Sequence, residues 1–132
     1  MTLQNKYFSN ILAPVSLGEL IDKITILEIK KVHMTDIQLK NVDKELKLLK
    51  NILHDQDIEI AIDLINTLKE VNNNLWKIED NIRLKESNQE FDKEFIKLAR
   101  SVYKENDLRA TIKKEINLKY NSNLVEEKSY KK

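Results

Sequence analysis

Three arginines are the side chains of this sequence best suited to hold an anionic group. Lysine and arginine together number 23, and only Arg83, Arg100 and Arg109 are arginines. The planar arginine fork matches a carboxylate or a phosphate in a way that a lysine ammonium does not. In a chain that otherwise uses lysine, this choice suggests that the three positions need the fork. They are the natural candidates for a salt-bridge network or for an anion-binding pocket.

The other residue types limit the chemistry further. The chain has no cysteine, which excludes a thiol nucleophile, a disulfide and a thiolate zinc site. His33 and His54 are the only histidines, so we predict no metal site. No nucleophile stands in a recognisable pattern with a base, and we predict no catalytic residue and no cofactor. Enzymatic activity stays open, and a non-catalytic role is the favoured hypothesis.

Several charged or polar residues fall on helix faces that should be apolar. On a helical wheel of about 100° per residue, Glu28 lies inside the apolar sector of the first predicted helix. Arg109 lies inside that of the last helix, with Asn106 at its edge. Asp22 lies outside the sector, where a dimer interface or solvent would meet it. The middle helix carries a polar stripe in 4-3-4 spacing: Asn72, Trp76, Glu79 and Arg83.

A charge placed in an apolar face needs a partner, because burial removes its hydration. We expect Glu28 and Arg109 to meet opposite charges, each other being one option, with Glu79 and Arg100 as the next members. One interpretation is an interior ionic lock that fixes helix register and dimer pairing. Another is a binding or catalytic pocket between helices, in which the three arginines grip an anionic ligand. A third is that these side chains reach solvent.

The elements that would position these residues are helices. One glycine and one proline in 132 residues leave few sites for tight turns. Ser16 and Glu19 form a capping box that predicts a helix start. We predict an all-α domain over residues 1–132, a three- to four-helix bundle or coiled-coil-like hairpin of long antiparallel helices. Its parts are an extended N-terminal arm over 1–15, helices over 16–54, 58–85 and 90–120, and a frayed tail over 121–132. The first helix is either continuous or broken near 34–36.

Helices of this length favour self-association. About 30 residues span about 45 Å at 1.5 Å per residue, which is too elongated for a compact monomer of this size. The positions from Leu39 to Leu53 alternate in the 3-4 spacing of a coiled-coil seam. We therefore predict a homodimer that pairs equivalent helices. A protein partner or an anionic small molecule is the alternative partner.

The charge balance argues against several partners. The net charge is +1, with 22 acidic residues, and lysine-rich stretches contain interleaved acids. Nucleic acid and anionic membranes attract clustered positive charge, so we predict neither as a partner. No apolar run has the roughly 18–20 residues of a membrane span, and no secretory signal is visible. We predict a cytoplasmic protein.

Three separated strings of the sequence have a distinctive composition: APVSLGELIDKITILEIK (residues 13–30), LWKIEDNIR (75–83) and LARSVYKENDLR (98–109). Together they resemble a bacterial and phage family of unknown function. The resemblance covers about residues 11–118 and implies a helical protein with no established activity. The genes of some relatives lie beside genes for surface-polysaccharide synthesis. The resemblance therefore implies that, if the chain binds an anionic ligand, it does so in connection with that process. Relatives carry a proline near position 37, where this chain has Ile37.

A shorter resemblance is to the all-helical chorismate mutases. Their first helix contains an Ile-Asp pair followed by aliphatic residues, similar to residues 20–27 here. That family implies a dicarboxylate substrate held by arginines and lysines. This chain lacks the arginine that the family places early in the first helix.

Overall fold

Four helices make up the fold, as seen in a computed structural model that describes residues 10–130. They are α1 (Leu17–His33), α2 (Asp36–Asp55), α3 (Ile62–Ser87) and α4 (Lys93–Lys119). The described residues contain no strand, and the predicted all-α bundle is confirmed. Residues 10–16 of the arm form neither helix nor strand, and its first nine residues lie outside the described part.

The helix ends follow from local hydrogen bonds. Ser16 Oγ accepts from the Glu19 amide at 3.1 Å and starts α1, and Asp92 Oδ1 accepts from the Phe95 amide at 3.0 Å and starts α4. In both helices the side chain of the N-cap residue therefore satisfies a backbone amide that has no acceptor within the helix. Met34 and its neighbour Thr35 have extended backbones. Of the two alternatives for the first predicted helix, the structure contains the break.

The third helix begins later than the predicted residue 58. The Ala61 amide donates to the Tyr120 hydroxyl at 2.7 Å, which holds residues 58–61 against the end of α4 in a non-helical path. The turns also do without glycine. Asp36, Asp57 and Asn121 adopt positive φ near 55°, the left-handed region that Asp and Asn tolerate better than most residues.

α1 lies at the centre of the bundle and packs against α2 on one side and against α3 and α4 on the other. α3 and α4 form a long antiparallel hairpin, and α1 lies in the groove between them, antiparallel to α4. α2 packs on the outer side of α1. One apolar cluster joins α1 to α2 and contains Leu20, Ile24, Leu27, Val42 and Leu46. A second joins α1 to the hairpin and contains Ile21, Leu68, Val71, Ile112 and Ile116.

The hairpin extends well beyond the end of α1. α1 ends at His33, whose ring stacks on Trp76 with centroids 4.7 Å apart. Farther along, α3 and α4 have only each other, and no residue between Asn72 and Ile112 is buried. We call residues 77–105 the distal hairpin. Within residues 10–130, none of the helices is long and apolar enough to cross a membrane.

Candidate functional site

The centre of the bundle is a buried ion pair between α1 and α4. The Asp22 side chain is completely buried, whereas the Arg109 side chain is 29% exposed. Arg109 Nε donates to Asp22 Oδ1 at 2.9 Å, and Nη2 donates to Oδ2 at 2.5 Å. Both oxygens of the carboxylate therefore meet the guanidinium fork in a bidentate pair, the strongest arrangement that these groups can make.

Asn72 completes the hydrogen bonding of the carboxylate, and Thr25 in turn accepts from Asn72. Asn72 Nδ2, from α3, donates to Asp22 Oδ1 and to Thr25 Oγ1, both at 2.9 Å. The Thr25 hydroxyl donates to the Asp22 carbonyl at 2.8 Å. Arg109 also donates to Asn106 Oδ1 at 3.5 Å, the limit of a hydrogen bond. These five residues form what we call the Asp22 network, which ties α1, α3 and α4 together at one level.

Electrostatics keeps Arg109 charged. Its hydrogen bonds to Asp22 raise the pKa of the guanidinium, and the charges of Glu19 and Glu126 act in the same direction, while partial burial opposes them. A guanidinium whose fork already holds a carboxylate has little left to offer a ligand. The Asp22 network thus acts as an internal clamp between helices, because the charges of Asp22 and Arg109 compensate each other within the chain.

A second polar layer lies toward the start of α1. Lys113 is buried, and its Nζ donates to Glu19 Oε2 at 2.6 Å and to Glu126 Oε2 at 3.1 Å. Burial works against the charged form of Lys113, but these two bonds outweigh it and raise the pKa of Lys113. Glu126 belongs to the segment after α4. The second layer therefore binds that segment to the bundle.

Gly18 lets α1 approach α4 closely beside that layer. Its amide donates to the buried Asn117 Oδ1 at 2.7 Å. A Cβ at position 18 would lie 2.5 Å from the Lys113 carbonyl oxygen. Only glycine fits this crossing, because the opposing atom belongs to the backbone of α4 and cannot rotate away.

The Glu126 contact predicts an acid-sensitive attachment of the C-terminal segment. Its hydrogen bond to Lys113 lowers the pKa of Glu126 below the ordinary value of 4.5. A lowered folded-state pKa contributes stability above pH 4.5, and this contribution is lost as the pH falls through the folded-state pKa. We expect thermal unfolding of the wild type and of Glu126→Gln to differ near neutral pH and to converge at more acidic pH. Glu127→Gln, on a more exposed carboxylate, is the control. A difference that widens with acid would contradict the assignment.

The predicted site residues do not all come together. Asn72, Asn106 and Arg109 meet in the Asp22 network, whereas Trp76 stacks on His33 at the end of α1. Glu28 and Arg109 each meet opposite charges, as expected, but they do not pair with each other. Glu28 faces α2 and the flank of α3, where it pairs with Lys50 at 3.5 Å and with Lys69 at 3.8 Å.

The remaining three predicted residues lie on the distal hairpin. Glu79 accepts from Arg83 Nε at 3.2 Å, and both side chains are exposed. Arg100 is exposed on the outer side of α4 and makes no ion pair with any described residue. The three arginines therefore do not line one pocket. Arg109 holds Asp22 between α1 and α4, whereas Arg83 and Arg100 are exposed on the distal hairpin.

Asp22 and Thr25 are the members of the network that sequence reasoning missed. The wheel placed Asp22 between Ile26 and Ile29, on a second face of α1 that we expected a dimer partner or solvent to meet. In the structure α1 is covered on two sides, by α2 and by the hairpin, so its second face is buried as well. The usable signal was the stripe Gly18, Asp22, Thr25 in 4-3 spacing. Small and polar residues at helical spacing are typical of a close polar helix crossing.

The arrangement offers no obvious cofactor site. Within residues 10–130, no group of three or more His, Asp or Glu side chains is placed to hold a metal ion. The buried polar groups of the Asp22 network satisfy one another, whereas Asn117 Nδ2 and Glu105 Oε2 are buried without a hydrogen-bond partner among the described residues.

The sequence profile of a family of unknown function, DUF6165, matches residues 12–132. The chain belongs to this family. The match spans all four helices, both polar layers and the segment that carries Glu126, and it agrees with the resemblance to a family of unknown function. No curated protein and no solved structure matches the chain.

Proposed function

We propose that this chain is a non-catalytic interaction module that forms a homodimer through its distal hairpins. The observation that carries the proposal is the groove between α3 and α4. α1 fills it near the Asp22 network, and beyond Trp76 it has no third helix. A two-helix hairpin leaves each helix half uncovered, whereas two such hairpins together make a four-helix bundle.

The uncovered part of the groove continues the surface that binds α1. Asn117, Lys113 and Arg109 face α1, and steps of about 3.6 residues lead from them to Asn106, Ala99 and Phe95. Beside this line Ile96 is more than half exposed. Aromatic and aliphatic side chains in a groove that is ready for a helix are typical of an interface.

The groove wall on α3 is charged in a self-complementary way. Glu79 and Arg83 follow Trp76 on the side of α3 that carries Asn72. A two-fold axis brings the same patch of both copies together in reverse order. If it passes near residue 81, Glu79 of each chain stands opposite Arg83 of the other. A second copy is therefore the partner whose charges this face matches.

Self-association would also complete the half-formed core of the distal hairpin. Five apolar side chains between α3 and α4 are only partly buried: Ile78, Ile82, Phe95, Leu98 and Val102. Burying apolar area contributes about 25 cal/mol for each Å² removed from water. A dimer supplies that burial without any change in the Asp22 network.

Sedimentation equilibrium at micromolar concentration tests the proposal. We expect a mass of twice 15.6 kDa for the wild type. Ala99→Arg, in the open groove, should yield monomers, whereas Thr111→Arg adds the same charge on the exposed side of α4 and should not. Glu79→Arg should weaken the dimer, and Arg83→Glu in the same chain should restore it. A monomeric wild type, or an Ala99→Arg dimer as tight as the wild type, would overturn the proposal.

A further inference from the structure

The outer side of α4 carries a line of unpaired positive charges. Lys93, Lys97, Arg100 and Lys104 repeat in 4-3-4 spacing and fall within a sector of about 60° on a wheel of 100° per residue. All four are exposed. We call these four residues the basic stripe. None of them makes an ion pair or a side-chain hydrogen bond with another residue of the described range, 10–130.

The stripe differs from the rest of the chain, where most cations on the helices have acidic partners. Lys23, Lys31, Lys50 and Lys69 are examples, each within 4 Å of a carboxylate. Arg83 and Arg109 hold carboxylates as well. Arg100 is thus the single arginine whose fork is unoccupied among the described residues.

Interleaved acids along α4 hide the stripe in the linear sequence. Glu94 and Glu105 lie about 60° and about 80° from Lys97 on the wheel, toward α3, and Asp107 lies beyond Lys104, about 20° from Arg100. Along this face the four cations nevertheless have no acidic partner among residues 10–130. The balanced net charge described the chain as a whole but not this surface.

We propose that the basic stripe binds the sugar–phosphate backbone of single-stranded nucleic acid. A line of cations one residue wide suits a linear array of phosphates, and Arg100 supplies a fork that fits a phosphate. The stripe rises about 16.5 Å along the helix axis, about the length of five phosphates at 3.4 Å each along one stacked strand. An anionic bilayer would instead cover the flanks as well, where Glu94 and Asp107 would be repelled.

An exposed aromatic ring adds a second contact. Tyr103 precedes Lys104, is 55% exposed and lies about 60° from Arg100 on the wheel. Its ring can stack on a base while the neighbouring cations hold the backbone, which is how single strands are bound without sequence preference. A duplex, whose bases are already stacked, would gain nothing from this ring. The stripe lies on a different side of α4 from Ala99, so it does not depend on the proposed dimer.

Fluorescence anisotropy with a labelled single-stranded oligonucleotide of about 15 nucleotides tests the assignment on the full chain. Four phosphate contacts predict a slope of log affinity against log salt of about −2.8, or about 50-fold weaker binding between about 50 and about 200 mM salt. Lys97→Gln with Arg100→Gln should halve the slope to about −1.4. Lys40→Gln with Lys44→Gln removes two exposed, unpaired lysines from α2 and should leave it unchanged.

The stacking contact has its own readout. Tyr103→Leu should weaken binding at least about fivefold with the salt slope unchanged, because a base loses its platform while the phosphates keep theirs. Three results would overturn the proposal. One is no binding at about 100 µM protein in low salt, the weak end of non-specific affinity. Another is an equal loss of affinity in the α2 control. The third is binding of inorganic polyphosphate or of phosphatidylserine vesicles as tight as that of the oligonucleotide.

Discussion

Replacing Arg109 by methionine is expected to lower the free energy of unfolding by about 3–5 kcal/mol. Methionine keeps much of the length of the side chain but removes the five donors. Asp22 would then be a fully buried carboxylate without its ionic partner, held only by Asn72. Breaking one side of a buried pair costs more than the pair itself contributes, because the remaining charge stays desolvated. Urea unfolding followed by circular dichroism measures the loss.

Arg100→Met is the matched control, since it removes an arginine from the same helix at an exposed position without an ion pair. It should change stability by no more than about 0.5 kcal/mol. Asp22→Asn combined with Arg109→Met leaves no charge in the network and should recover a large part of the loss. A ligand-binding role for Arg109 makes the opposite prediction, since like charges gathered for a ligand are strained without it. If Arg109→Met unfolds at the same urea concentration as Arg100→Met, the network is not the clamp described here.

Gly18→Ala should destabilise the protein by about 2–4 kcal/mol, although alanine is the better helix former. In an ordinary helix this change gains about 1 kcal/mol. Here the new Cβ would stand 2.5 Å from the Lys113 carbonyl oxygen and 3.0 Å from Asn117 Oδ1. α1 must move away from α4, and that movement stretches the 2.7 Å bond from the Gly18 amide to Asn117.

Asn66→Ala shows what alanine does where nothing opposes it, because this residue is exposed on α3. It should leave stability unchanged or raise it slightly. Comparing the two alanine substitutions separates the effect of the close helix crossing on stability from the effect of helix propensity. Thermal denaturation in which Gly18→Ala melts at or above the wild-type temperature would show that α1 and α4 do not cross this closely.

Helix content was predictable because it depends on local properties. The scarcity of glycine and proline, the capping box at Ser16 and the periodicity of the apolar residues each act within one or two turns. The same reasoning identified Asn72 and Arg109 as polar residues on faces that packing would cover. Helix starts were less predictable, because the beginning of α3 depends on Tyr120, which lies 59 residues from Ala61 in the chain.

Partners within the interior were not predictable from one wheel. Glu28 and Asp22 are both acids on α1, and each lies beside apolar residues in the sequence pattern. Which of them becomes the fully buried anion depends on where α2 and the hairpin dock. α1 has two covered sides, with Glu28 on their border and Asp22 in the centre of the second.

By itself the sequence determined that this protein is built from amphipathic helices and that some polar residues must lie inside it. The tertiary structure decided that Asp22 receives Arg109, that Arg83 and Arg100 stay outside, and that the distal hairpin has no third helix. The physical reason is range. Capping and periodicity are set by neighbours along the chain, whereas ion pairing and the covering of a groove depend on helices that meet only after folding.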